Sequence, residues 1–73
     1  MERERAVLQL RLIRAVLHQE LESHRPTIAF AIRASALIEH TAISIEPEPD
    51  AALRRLLDEA REDVLTLAER AVE

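Results

Sequence analysis

The side chains with the most chemical potential in this chain are its three histidines and the carboxylates beside them. His18 and Glu22 stand four residues apart, as do Glu20 and His24, a spacing that sets two ligands on one side of a helix. A closed metal site needs about four ligands, and the di-iron pattern of helical bundles needs Glu-x-x-His on two helices. The sequence contains neither. Glu39 and His40 are adjacent and point about 100° apart on a helix. The histidines therefore read as solvated polar residues, with His24 and Arg25 near the end of a helix, where its dipole favours positive charge.

Catalytic constellations are equally absent from the sequence. Ser23, Ser35 and Ser44 have no recognisable nucleophile context, and without a single glycine there is no loop to cradle a phosphate. Glu59 and Asp63 form a carboxylate pair on a charged helix face with no evident pocket. The expectation is a protein with no catalytic, cofactor-binding or metal-binding residues, and not an enzyme.

Composition narrows the partners. Ten arginines and no lysine against fourteen carboxylates give a net charge of −4 and a mixed-sign surface. No basic stripe is interleaved with aromatics, and Phe30 is the only aromatic residue, so the platforms that hold nucleic acid are missing. Cysteine is absent, which removes disulfides and thiolate chemistry and leaves the redox compartment unread. Residues 1–5 lack the layout of a signal peptide. The apolar central segment falls short of the roughly 20 residues of a membrane span and carries Arg33, Glu39 and His40. A soluble protein without nucleic-acid, membrane or small-molecule partners is expected, its compartment undetermined.

The elements that would position anything are helices. With 73 residues, the chain is one domain near the size at which a single core barely offsets chain entropy. Periodicity near 3.6 residues predicts an all-α fold of three helices, about 2–22, 27–44 and 48–72, with no strand. Two short proline-containing breaks separate them. At the first, Arg25 should leave the helix because it precedes a proline, while Pro26 and Thr27 suit the first turn of the next helix in a tight hairpin. A kinked continuous helix is the alternative, since no glycine supplies the usual left-handed cap. At the second, Pro47 and Pro49 end one helix and suit the start of another, between Pro47 and Asp50, with Glu46, Glu48 and Asp50 favourable at its positive end.

Each helix then sorts its apolar residues. Helix one gathers Ala6, Val7, Leu10, Ile13, Leu17 and Leu21 on one face and sets Leu8, Leu12, Ala15 and Val16 on a second, roughly opposite face. Helix two is apolar nearly all round, with Arg33, His40 and Ser44 as its polar strip and small residues at Ala29, Ala31, Ala34, Ala36 and Ala42 that allow close approach. It is expected to be the central packing element, burying Phe30, Ile32, Leu37 and Ile38. Helix three carries the cleanest stripe: Leu53, Leu56, Leu57, Ala60, Val64, Leu67, Ala68 and Ala71. Leu65 and Val72 lie outside it, seven residues apart on one line beside Arg54, Asp58 and Arg61.

A single small core needs one stripe per helix, so the surplus faces ask for a partner. Leu8, Leu12, Ala15 and Val16 are expected to form an oligomer interface, with Leu65 and Val72 as a secondary contact. Proline at helix starts, a third helix of Ala, Leu, Glu, Asp and Arg in near-regular order, and the absence of Gly, Cys, Trp, Tyr and Asn resemble a computationally designed (de novo) small helical bundle. The lack of lysine and of loop glycine departs from that style and equally suits a natural protein of a GC-rich genome. The resemblance implies a building block of a symmetric homo-oligomer, a ring, cage or closed shell made of copies of itself. The competing class is a helical binding module that docks a different protein through the second face of helix one.

Overall fold

The computed structural model describes residues 2–23, 25–45 and 50–72. These form α1 (Arg3–Glu22), α2 (Ile28–Ile45) and α3 (Ala51–Ala71), each packed on the other two in a bundle about 37 × 16 × 16 Å. Among the described residues there is no strand.

Cross-helix pairs give the directions. Arg3 meets Asp50, Arg14 meets Glu59 and Asp63, and Arg70 reaches the Leu21 carbonyl, so α1 and α3 run parallel. Gln9 meets Thr41, while Val16 lies beside Phe30, so α2 runs against α1. The result is an up-down-up bundle in which no helix is central. This corrects the expectation that α2 is the hub: in a triangular bundle each helix has one inward face and one outward face.

The ends are set by local chemistry. Thr27 lies just outside α2, and its hydroxyl accepts from the Phe30 N–H at 3.1 Å. It therefore acts as an N-cap, one residue before the expected first turn. Asp50 does the same for α3, accepting from the Leu53 N–H at 2.8 Å. Helix three thus starts at Ala51, after the expected window; Glu46, Pro47, Glu48 and Pro49 lie outside the described residues. Glu2 caps α1 without a side-chain hydrogen bond. At its other end, Ser23 turns to extended backbone (φ −72°, ψ 158°) and its N–H donates to the Glu20 carbonyl. Arg70 from α3 donates to the Leu21 carbonyl at 3.2 Å, so a neighbouring arginine supplies what a glycine-based cap supplies elsewhere. The chain reverses between α1 and α2 as a hairpin, not a kinked helix.

The core is built from Leu10 and Leu17 of α1, Ile38 of α2, and Leu53, Leu57, Ala60 and Leu67 of α3, with Ala6, Ala31, Ala34 and Ala42. Ile13, Leu21, Phe30, Leu56 and Val64 are half-buried against it. Two core expectations are overturned: Ile32 is 64% and Leu37 51% exposed within the chain. The small residues Ala31, Ala34 and Ala42 take the inward side of α2, because they let its backbone lie close to both neighbours. That choice turns the larger side chains outward.

Candidate association surface

The three seams of the bundle differ in chemistry. The α1/α3 seam is tied by charge: Arg14 donates to Glu59 at 2.6 Å and to Asp63 at 2.8 Å, and His18 Nε2 lies 3.0 Å from Asp63 Oδ2. Arg3 pairs with Asp50 at its upper end. Hydrogen bonding to Asp63 raises the Arg14 guanidinium above its ordinary pKa. The Arg3 guanidinium and the Leu53 N–H hold Asp50 below the usual carboxylate range. Across the α2/α3 seam, Arg61 donates through both Nε and Nη2 to the two oxygens of Glu39 at 2.8 and 2.9 Å. This pair lowers the Glu39 pKa.

The α1/α2 seam is different. Its one cross-helix polar tie among the described residues is Gln9 Nε2 donating to Thr41 Oγ1 at 2.9 Å, and Thr41 in turn donates to the Leu37 carbonyl. Beyond that tie lies an apolar groove of about 310 Å³. Leu12 and Val16 form one wall, Phe30 and Leu37 the other, and Ile13 and Ala34 the floor, with Arg33 at the rim. The groove follows from the α2 packing: Ala34 on its floor is too short to fill the space between the helices. Leu8, one turn from Leu12, is exposed on the outer side of α1 and does not line the groove.

The expected interface residues fall into two places. Leu8, Leu12, Ala15 and Val16 are exposed together on α1, Leu12 and Leu8 at 58% each. Leu65, 60% exposed, borders a shallow α2/α3 hollow with Ser35, Ile38, Glu39, Arg61 and Val64, and Val72, 74% exposed, caps the C-terminal end of α3. Sequence reasoning missed the α2 contribution, Phe30, Arg33 and Leu37 on the groove and Ile28, Ile32 and Ile43 facing outward. The all-round apolarity of the segment was the available signal, but it carries no phase.

No group of three His, Asp or Glu side chains is arranged to hold a metal ion among the described residues. Of the pairs with ligand spacing, Glu20 with His24 falls partly outside those residues, and His18 points to Asp63 across the seam. Among the described residues, α2 is the one helix whose length and composition alone would allow it to cross a membrane. It is docked along Ala31, Ala34, Ile38 and Ala42, and Glu39 on its flank is tied to α3.

The fold defines a class, the all-α three-helix bundle. Comparison with family models, with curated proteins and with solved structures finds no match to this chain.

Proposed function

We propose that this protein is a structural, self-associating helical subunit without catalytic activity, which assembles with copies of itself into a symmetric homo-oligomer. The observation that carries this reading is the apolar α1/α2 groove with Leu12 and Val16 exposed along its edge. A contiguous apolar surface rimmed by polar residues marks a place of association rather than scattered surface leucines. Among the described residues, the hollows on the two sides held by ion pairs include charged side chains in their lining: Arg3, Arg11, Arg55 and Glu59 on one, Glu39 and Arg61 on the other.

Sedimentation of the wild type beside Leu12→Glu and Gln19→Glu tests it. The wild type is expected to be a discrete multimer at micromolar concentration. Leu12→Glu should dissociate it, since it replaces an apolar wall of the contact by a charge that must be desolvated and that occupies Arg33 within its own subunit, while Gln19→Glu, at an exposed polar position, should not. A monomeric wild type rejects self-association and favours docking of a different protein. An intact Leu12→Glu multimer rejects the groove as the interface.

A further inference from the structure

We propose, resting on the self-association above, that the contact between copies is head to tail: the row of exposed side chains led by Leu65 and Val72, which stands as a ridge beside the shallow α2/α3 hollow of one subunit, seats in the α1/α2 groove of the next. The edge charges of the two apolar surfaces carry the argument. Among the described residues, Arg33 is the one charged residue lining the groove. It is exposed and makes no ion pair among the described residues. The outward line of α3 and its C-cap reads Glu62, Leu65, Glu69, Val72 at spacings of three, four and three, and the helical φ and ψ of Val72 keep all four on one side. Neither Glu62 nor Glu69 has an ion-pair partner among the described residues.

The ridge is wider than those two aliphatics. Ile28 and Ile32 share a line of α2 with Ser35 and Glu39, and Ser35 and Glu39 border Leu65. Because α2 and α3 run in opposite directions, Ile32 and Ile28 continue alongside the stretch from Leu65 to Val72. Glu39 and Arg61 neutralise one another within the seam. Among the described residues, the ridge thus joins aliphatic side chains to carboxylates outside any ion pair, and the groove joins them to a guanidinium outside any ion pair.

A two-fold contact would place each surface against itself. Groove on groove puts Arg33 into both halves with no carboxylate lining either, and burying an unpaired cation is costly. Ridge on ridge brings Glu62 and Glu69 of two copies together. Ridge in groove offers a carboxylate to Arg33 and aliphatic side chains to the hollow floored by Ala34. Each subunit then carries one knob surface and one socket surface, which generates a ring if the rotation closes and a filament if it does not.

Two variants at exposed positions test this. Leu12→Glu disables the socket and Leu65→Arg disables the knob, and circular dichroism should show both as helical as the wild type. Each alone is expected to sediment as a monomer. An equimolar mixture is expected to form a dimer and nothing larger, because only one intact socket faces one intact knob. Arg33→Glu should weaken assembly of the otherwise wild-type chain by about tenfold or more, the scale of a buried interfacial charge pair, and Glu69→Arg combined with Glu62→Arg in the same chain should restore it. If Leu65→Arg assembles as the wild type does while Leu12→Glu dissociates, the contact is two-fold through the groove; this inference falls and self-association stands. A mixture that stays monomeric also overturns it, and a monomeric wild type overturns both readings.

Discussion

Thr41 is the one fully buried polar residue among the described ones, and both of its hydrogen-bonding roles are used, donating to Leu37 and accepting from Gln9. Such a pair costs little when satisfied and much when orphaned, so it fixes which turn of α2 sits against which turn of α1. Ile38 is the large apolar residue fully buried on the same helix. Measured by chemical denaturation in the monomeric Leu12→Glu background, Ile38→Ala should cost about 2–5 kcal/mol. Ile32→Ala should stay within about 0.5 kcal/mol, as exposed substitutions do; equal losses at the two positions would place the inward face of α2 elsewhere. The sequence left this open for a physical reason. On α1 and α3, charged residues mark the outside, and Leu10, Leu17, Leu53, Leu57 and Leu67 are legible as core. On α2 the polar marks are too few, and the rule that large residues go inside fails. Three alanines win the inward side by allowing close approach.

At the level of elements, the helices were legible because proline and apolar period punctuate them, and their ends shifted by a residue or a few because capping side chains decide them. Thr27 and Asp50 stand outside their helices as caps rather than inside as first-turn residues. What could not be read from one dimension is the pairing of seams: Arg14 with Glu59 and Asp63 is 45 and 49 residues apart. The Arg61–Glu39 tie between α2 and α3 gives a pH test. Arg61 lowers the Glu39 pKa below its ordinary value, so the pair's contribution is present above the unfolded-state pKa, about 4.3 for glutamate. It is lost as pH falls through the lower folded-state value. Because both side chains are about half exposed, the contribution is small, on the scale of up to about 1 kcal/mol for exposed pairs. Glu39→Gln should therefore lose stability relative to the wild type at neutral pH and converge with it in acid, once pH has fallen below the lowered folded-state value, read by denaturant midpoints in the same Leu12→Glu background. A difference that persists unchanged into acid would mean that the loss is packing, not charge.

The whole molecule joins a small core to a large apolar exterior. Eleven buried hydrophobic residues form the core among the described ones, five of them alanine, while Leu8, Leu12, Ile32, Leu37, Ile43, Leu65 and Val72 are each more than half exposed. Alanine contributes little burial free energy beside leucine or isoleucine, and domains of this size are marginal on one core alone. If the exterior is covered by other copies, folding and assembly are linked, and only the folded chain associates. Mass action then adds stability that grows with the logarithm of concentration over the dissociation constant. The thermal midpoint of the wild type should therefore rise steadily between about 1 and 100 μM chain, by an amount equivalent to about 2.7 kcal/mol for a hundredfold excess over the dissociation constant. Leu12→Glu, substituted at an exposed site, should melt near the most dilute wild-type value and show no dependence on concentration. A wild-type midpoint that is flat across that range, at a concentration where sedimentation shows assembly, would mean that the exterior contacts add nothing to the fold and that the subunit stands on its small core alone.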